Sequence, residues 1–133
     1  MLYEKTVFDF ILVALFSTFY SCQKSGVTLP VINFYAGTGY VYSDTVLAHG
    51  TIATFGINAY KAGVDQLLRK CIIQRSINGS ADSTIQEMDV ITQTFSQFYG
   101  YTVGDSGNVE RYTFIILQDN GLSDSAIATI TSI

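Results

Sequence analysis

The stretch 109–133, VERYTFIILQDNGLSDSAIATITSI, constrains the fold more than any other part of the chain. It opens with alternation: Tyr112, Phe114 and Ile116 fall on one face, Arg111, Thr113 and Ile115 on the other. A period of two is the pattern of a strand with one face buried. Asp119-Asn120-Gly121 follows, and these residue types favour a tight turn for backbone reasons. A second strand over about 124–133 completes an antiparallel hairpin, so the chain is expected to close a sheet with its last strand.

The rest of the chain repeats that grammar. Pro30 opens a first strand over 31–36, where its missing N–H costs no ladder bond. Gly37-Thr38-Gly39 breaks it, 40–42 continues it, and 45–48 reads as a brief edge strand. In 51–60, Ala53, Phe55, Ile57 and Ala59 alternate with Thr54, Gly56, Asn58 and Tyr60. The segment 67–77 has helical spacing at Leu67, Leu68, Cys71 and Ile72, yet it runs into Asn78-Gly79, a strong hairpin signal. A strand is therefore preferred, with Leu67, Cys71, Ile73 and Ile77 on one side and Lys70, Gln74 and Ser76 facing out. Further strands are expected over 83–90 and 91–103, although 86–96 has room for a helical turn. About seven strands over about 100 residues predict an all-β, antiparallel two-sheet sandwich of immunoglobulin type; a closed barrel is the competitor.

The first 22 residues read differently. The run 7–20 is apolar except for Asp9, Ser17 and Thr18, and is shorter than the roughly 20 apolar residues that span a bilayer. It suits the core of a secretory signal, with Lys5 as a weak positive flank beside Glu4. Ser21 followed by Cys22 resembles a bacterial lipoprotein signal, which is cut before a cysteine that then carries lipid. Phe19 and Tyr20 are bulkier than that pattern prefers. The resemblance implies a signal over 1–21, a tether over 22–29 and one domain over 30–133. It also implies a cell-envelope location, anchored by lipid on Cys22 to a bacterial membrane, the outer membrane by preference. An ordinary secretory signal or a buried N-terminal helix are the other readings.

The folded part is similar to the immunoglobulin-like β-sandwich modules of bacterial surface lipoproteins. The residues that carry the likeness are the Asn78-Gly79 hairpin, Tyr112-Thr113-Phe114 and the stretch 119–133. It implies a tyrosine corner at Tyr112, its hydroxyl bonding back to upstream backbone. Antibody domains have a cysteine two residues further on; here Phe114 stands there, with its expected partner near Phe55. An aromatic contact is thus expected in place of a disulfide. The chain has no Trp, a second departure from antibody domains.

Chemistry is sparse. Seven basic residues against eleven acidic ones give a net charge of −4, without the basic footprint of a nucleic-acid binder. His49 is the one histidine, in an Ala-His-Gly turn without catalytic context. No nucleophile elbow or zinc-protease motif occurs. Cys71 reads as a buried small hydrophobe. Asp105, Asp119, Asn120 and Asp124 sit near turns, which explains them without a cation. The chain is expected not to be an enzyme and to need no cofactor or metal. Tyr40, Tyr42, Tyr60, Tyr99 and Tyr101 are the candidate binding residues, because exposed tyrosines suit interfaces with sugars or proteins. The expected function is binding a glycan or a partner protein of the envelope. The alternative is a structural spacer or assembly subunit with no ligand of its own.

Overall fold

A computed structural model describes residues 28–133. Its elements are β1 (Val31–Phe34), β2 (Thr45–Leu47), β3 (Ile52–Tyr60), β4 (Leu68–Ile77), β5 (Ser83–Thr92), β6 (Thr94–Thr102), β7 (Val109–Gln118) and β8 (Ser123–Ser132). They form two sheets, ordered β1-β3-β6 and β2-β8-β7-β4-β5. The fold is an all-β two-sheet sandwich. Its sheets share no ladder, so it is not a closed barrel. All pairings are antiparallel except β2 with β8, which is parallel. The order matches the A-B-E and A′-G-F-C-C′ arrangement of immunoglobulin-type sandwiches.

Alternation fixes which side of each strand is buried. Ala53, Phe55, Ile57 and Ala59 of β3 face Tyr112, Phe114 and Ile116 of β7 across the core, with Ala128 and Ile130 of β8 beside them. Phe55 and Phe114 are fully buried, their ring centroids 5.2 Å apart. They occupy the position of the inter-sheet disulfide, and the expected aromatic replacement is what the structure shows. The turns also follow the sequence. Asn78 (φ 51°) and Gly79 (φ 75°) both take the left-handed conformation that a two-residue hairpin demands.

Several expectations need correction. The described residues hold eight strands, and the boundary expected between residues 90 and 91 falls at Gln93, between β5 and β6. Residues 40–42 form no strand; the chain bulges away from β3 after Tyr35 and rejoins it where Val41 N donates to Thr54 O at 2.8 Å. In β4 the pairing skips at Arg69, so Leu68, not Leu67, enters the core with Cys71. One extra residue reverses the phase of a strand locally. That bulge is also why the segment carries helix-like spacing. Ser76 is buried, its hydroxyl donating to Ser80 O at 2.5 Å within the hairpin.

The tyrosine corner is built through an intermediary. Tyr112 Oη lies 3.4 Å from Glu110 Oε2, and Gly104 N donates to the same oxygen at 3.4 Å. A buried carboxylate thus stands between the tyrosine and the upstream backbone that it was expected to reach directly. At the other end of β7, the buried Gln118 accepts from Ala62 N and donates to Asn120 Oδ1. Polar side chains at both ends of this central strand tie loops to the sandwich and leave their own buried groups paired.

Candidate functional site

The outer face of the three-stranded sheet is built from the residues that alternate away from the core. On β3 these are Ile52, Thr54, Gly56, Asn58 and Tyr60; on β6 they are Thr94, Ser96, Phe98, Gly100 and Thr102. Val31 and Asn33 of β1 share the face, and Tyr35 extends it. None of these side chains is charged.

Its upper half is aromatic. Tyr35 and Tyr40 meet edge to face with centroids 5.0 Å apart, and Phe98 lies 5.3 Å from Tyr40 and 6.4 Å from Tyr35. Phe98 is 56% exposed and Tyr35 46%, so the cluster opens to solvent. Gly56 makes it possible. A Cβ there would stand 2.8 Å from the Phe98 ring and 2.9 Å from Tyr35 Cβ. The missing side chain lets both rings settle on the sheet. Gly100 does the same for Ile52, whose Cγ2 would be 3.1 Å from an added Cβ. The lower half is polar: Ser96 Oγ donates to Asn58 Oδ1 at 2.8 Å, and Asn33 pairs with Asn58 in register.

The five tyrosines separate. Tyr40 joins the aromatic cluster, and Tyr60 lies exposed at the end of the same face. Tyr42 is exposed over a groove between the two sheets, beside Ile32, Phe34 and Ile127. Tyr99 and Tyr101 are corrected. Their register partners, Phe55 and Ala53, point into the core, and so do they. Tyr99 donates to Met88 Sδ at 3.0 Å, while Tyr101 stacks on Tyr112 at 5.4 Å and bonds Gln86 Oε1. Burial raises the Tyr99 hydroxyl well above the tyrosine range and pushes Tyr101 up to about 12. Sequence reading missed Phe98 and Tyr35. The signal was present in β6, where Phe98 is out of phase with Phe95, Tyr99 and Tyr101, but the inward phase was not evident.

The remaining polar candidates have structural partners. His49 Nδ1 donates to Gly104 O at 2.9 Å. Asp119 accepts from Leu67 N, Asp124 from Ile32 N, and Asn120 from Leu122 N. The backbone of Asp105 accepts from Asn108 N. Among the described residues, no group of three or more His, Cys, Asp or Glu is placed to hold a metal ion. Cys71 is fully buried, and burial pushes its thiol up to about 11. Cys22, the expected lipid site, and the signal segment lie outside the described residues.

No protein-family model matches the chain, and no curated protein matches it in sequence. Solved structures do resemble it. Spo0M, a sporulation control protein from Bacillus subtilis, superposes with a TM-score of 0.53 at 10% identity, over 80% of this chain. The matched region is 50% of the Spo0M chain, so this chain spans half that protein's length. A superoxide reductase (neelaredoxin) from Ignicoccus hospitalis gives 0.47 at 9% identity, covering 80% of this chain and 81% of that one. A CARDB domain from Pyrococcus furiosus, in complex with di-metal ions, gives 0.46 at 12% identity, covering 80% and 95%. Likeness at these identities concerns the fold alone. The expectation that the chain is not an enzyme is withdrawn, because a sandwich fold by itself does not decide for or against catalysis. That likeness assigns no activity to this chain.

Proposed function

We propose that this chain is a cell-envelope binding module and that it takes a neutral glycan on the outer face of the β1-β3-β6 sheet. One observation carries the reading: a continuous sheet face without a single charge, on which an exposed aromatic cluster lies beside amide and hydroxyl groups. Sugars offer the complementary surface, apolar C–H faces for Tyr35, Tyr40 and Phe98 and hydroxyls for Asn33, Asn58 and Ser96. Exposed apolar clusters of this kind mark interaction sites, and aromatic rings with a polar rim suit ligands that are apolar on one side and wet on the other. Tyr60 extends the same face. Tyr42, Tyr99 and Tyr101 are not part of it. Binding of neutral polysaccharides to the purified protein, measured by calorimetry, is the test. Phe98→Ala and Tyr40→Ala should each weaken it roughly tenfold with the melting temperature nearly unchanged. Undiminished binding by both variants would remove this face from consideration.

The envelope location rests on the sequence of residues 1–22. We place the module on a membrane through lipid on Cys22, with residues 22–29 as its tether. In cells fed labelled palmitate, the parent chain should be shortened and labelled, and Cys22→Ser should be neither. A Cys22→Ser chain of the parent's size and membrane partition overturns the anchor. The second reading, an assembly subunit, draws on a separate observation at the edge of the same sheet.

A further inference from the structure

Each sheet ends in strands with one unpaired side, and such edges recruit partners unless they are short, charged or irregular. Among the described residues, β1 has four residues and β2 three, too few to hold a partner strand. β5 is ten residues long but carries Glu87 and Asp89 and pairs irregularly with β4. β6 differs. It has nine residues, TFSQFYGYT, with neither a charge nor a proline. Among the described residues it is the last strand of its sheet, and one side makes no ladder.

The backbone groups on that side follow from the ladder. Val103 N donates to Thr51 O at 2.8 Å, and Lys61 N donates to Gln93 O at 2.9 Å. Odd-numbered residues therefore turn their N–H and C=O groups toward β3. Those of Ser96, Phe98 and Gly100 point to the open side. Their side chains lie on the outer face, which keeps the core out of any contact made there.

We propose that the occupant of this edge is β6 of a second copy of the chain, joined antiparallel across a two-fold axis. Self-pairing brings a strand against its own sequence, so any charge on it would confront a like charge nearby. β6 carries none, whereas Glu87 and Asp89 burden β5. Full overlap of the nine residues is reached in only one register, with Phe98 opposite Phe98 and Ser96 opposite Gly100. In that register Ser96, Phe98 and Gly100 supply roughly six main-chain hydrogen bonds. The two Phe98 rings meet on the outer face, and the aromatic clusters of both copies become one surface on a six-stranded sheet.

The test is sedimentation of the full-length chain in density-matched detergent over a concentration series, without glycan. The parent should dimerise. Phe98→Lys, which sets two ammonium groups opposite each other, should weaken the dimer roughly tenfold or more. Mixing Phe98→Lys with Phe98→Glu chains should restore pairing as a heterodimer. Phe98→Cys should form a disulfide-linked dimer in higher yield than the parent, which retains Cys22 and Cys71. Hydrogen-bonded antiparallel neighbours hold their Cα atoms about 5.5 Å apart, within disulfide reach. Tyr40→Ala, off the edge, should leave the dimer intact. A monomeric parent, a Phe98→Lys chain that pairs as the parent does, or no gain in crosslinking from Phe98→Cys would each overturn the proposal. Because no glycan is present, failure here leaves the glycan reading standing, and failure of Tyr40→Ala to affect glycan binding leaves this one standing.

Discussion

Replacing Phe114 by alanine is expected to cost about 3–5 kcal/mol of folding stability, the range for truncating a buried aromatic. Phe114 is fully buried and touches three other rings: Phe55 at 5.2 Å, Phe34 at 5.5 Å and Tyr99 at 5.9 Å. Each such pair contributes about 0.5–1.5 kcal/mol beyond the area it buries. These rings come from β1, β3 and β6, while Phe114 belongs to the other sheet. The substitution therefore opens a cavity where the two sheets are held together without a covalent link. Urea unfolding checks it: the midpoint should fall sharply with the slope unchanged. Phe114→Leu, which keeps most of the volume, should cost far less. A loss below about 1 kcal/mol for the alanine variant would mean that Phe55 and Phe114 do not serve in place of the disulfide.

The second large effect is expected in alkali. Burial raises the Cys71 thiol from 9.0 to about 11 and the Tyr101 hydroxyl from 10.0 to about 12, and it raises Tyr99 and Tyr112 as well. Each group holds its proton in the folded state at a pH where the unfolded chain has lost it. The folded state then binds more protons, so stability falls as pH rises. Below about pH 9 all four are protonated in both states and contribute no slope. Above it, each group that remains protonated only when folded removes about 1.4 kcal/mol per pH unit, until its own folded value is reached. Cys71 acts first, between about 9 and 11, and the tyrosines follow from about 10 upward. Urea midpoints should therefore hold to about pH 9, begin to fall above it, and fall most steeply between about pH 10 and 11, where Cys71 and the tyrosines act together. Cys71→Val should flatten the first part of the decline. A flat profile to pH 11 would refute the linkage.

Much of the fold was legible in the sequence because its information is local. The turn at Asn78-Gly79 needs two residues tolerant of positive φ, and the chain has them in place. The inward sets on β3 and β7 follow from alternation alone, since the apolar and polar phases differ plainly in TIATFGINAY and VERYTFIILQ. β6 was harder for the same reason. In TFSQFYGYT both phases contain aromatics, so periodicity defines two faces without saying which is buried. The structure turns Tyr99 and Tyr101, expected on a binding surface, toward the core and leaves Phe98 on the outer face. The site itself was even less legible. Tyr35, Tyr40 and Phe98 come from a strand end, a loop and a distant strand, and only the ladders of β3 bring them together over Gly56.

By itself the sequence determined the class of fold, the turns and the residues of the central core, because each rests on the conformational preferences of a few neighbouring residues. The tertiary structure decided the rest. Pairing with β7 placed a bulge at Arg69 and moved Leu68 into the core. Pairing with β3 set the phase of β6, turning Tyr99 inward and Phe98 outward. The order of the sheets left β6, uncharged along its length, on an open edge. Facing, register and edge position depend on which distant strand lies alongside, and a period of two reads the same whichever face the neighbour covers.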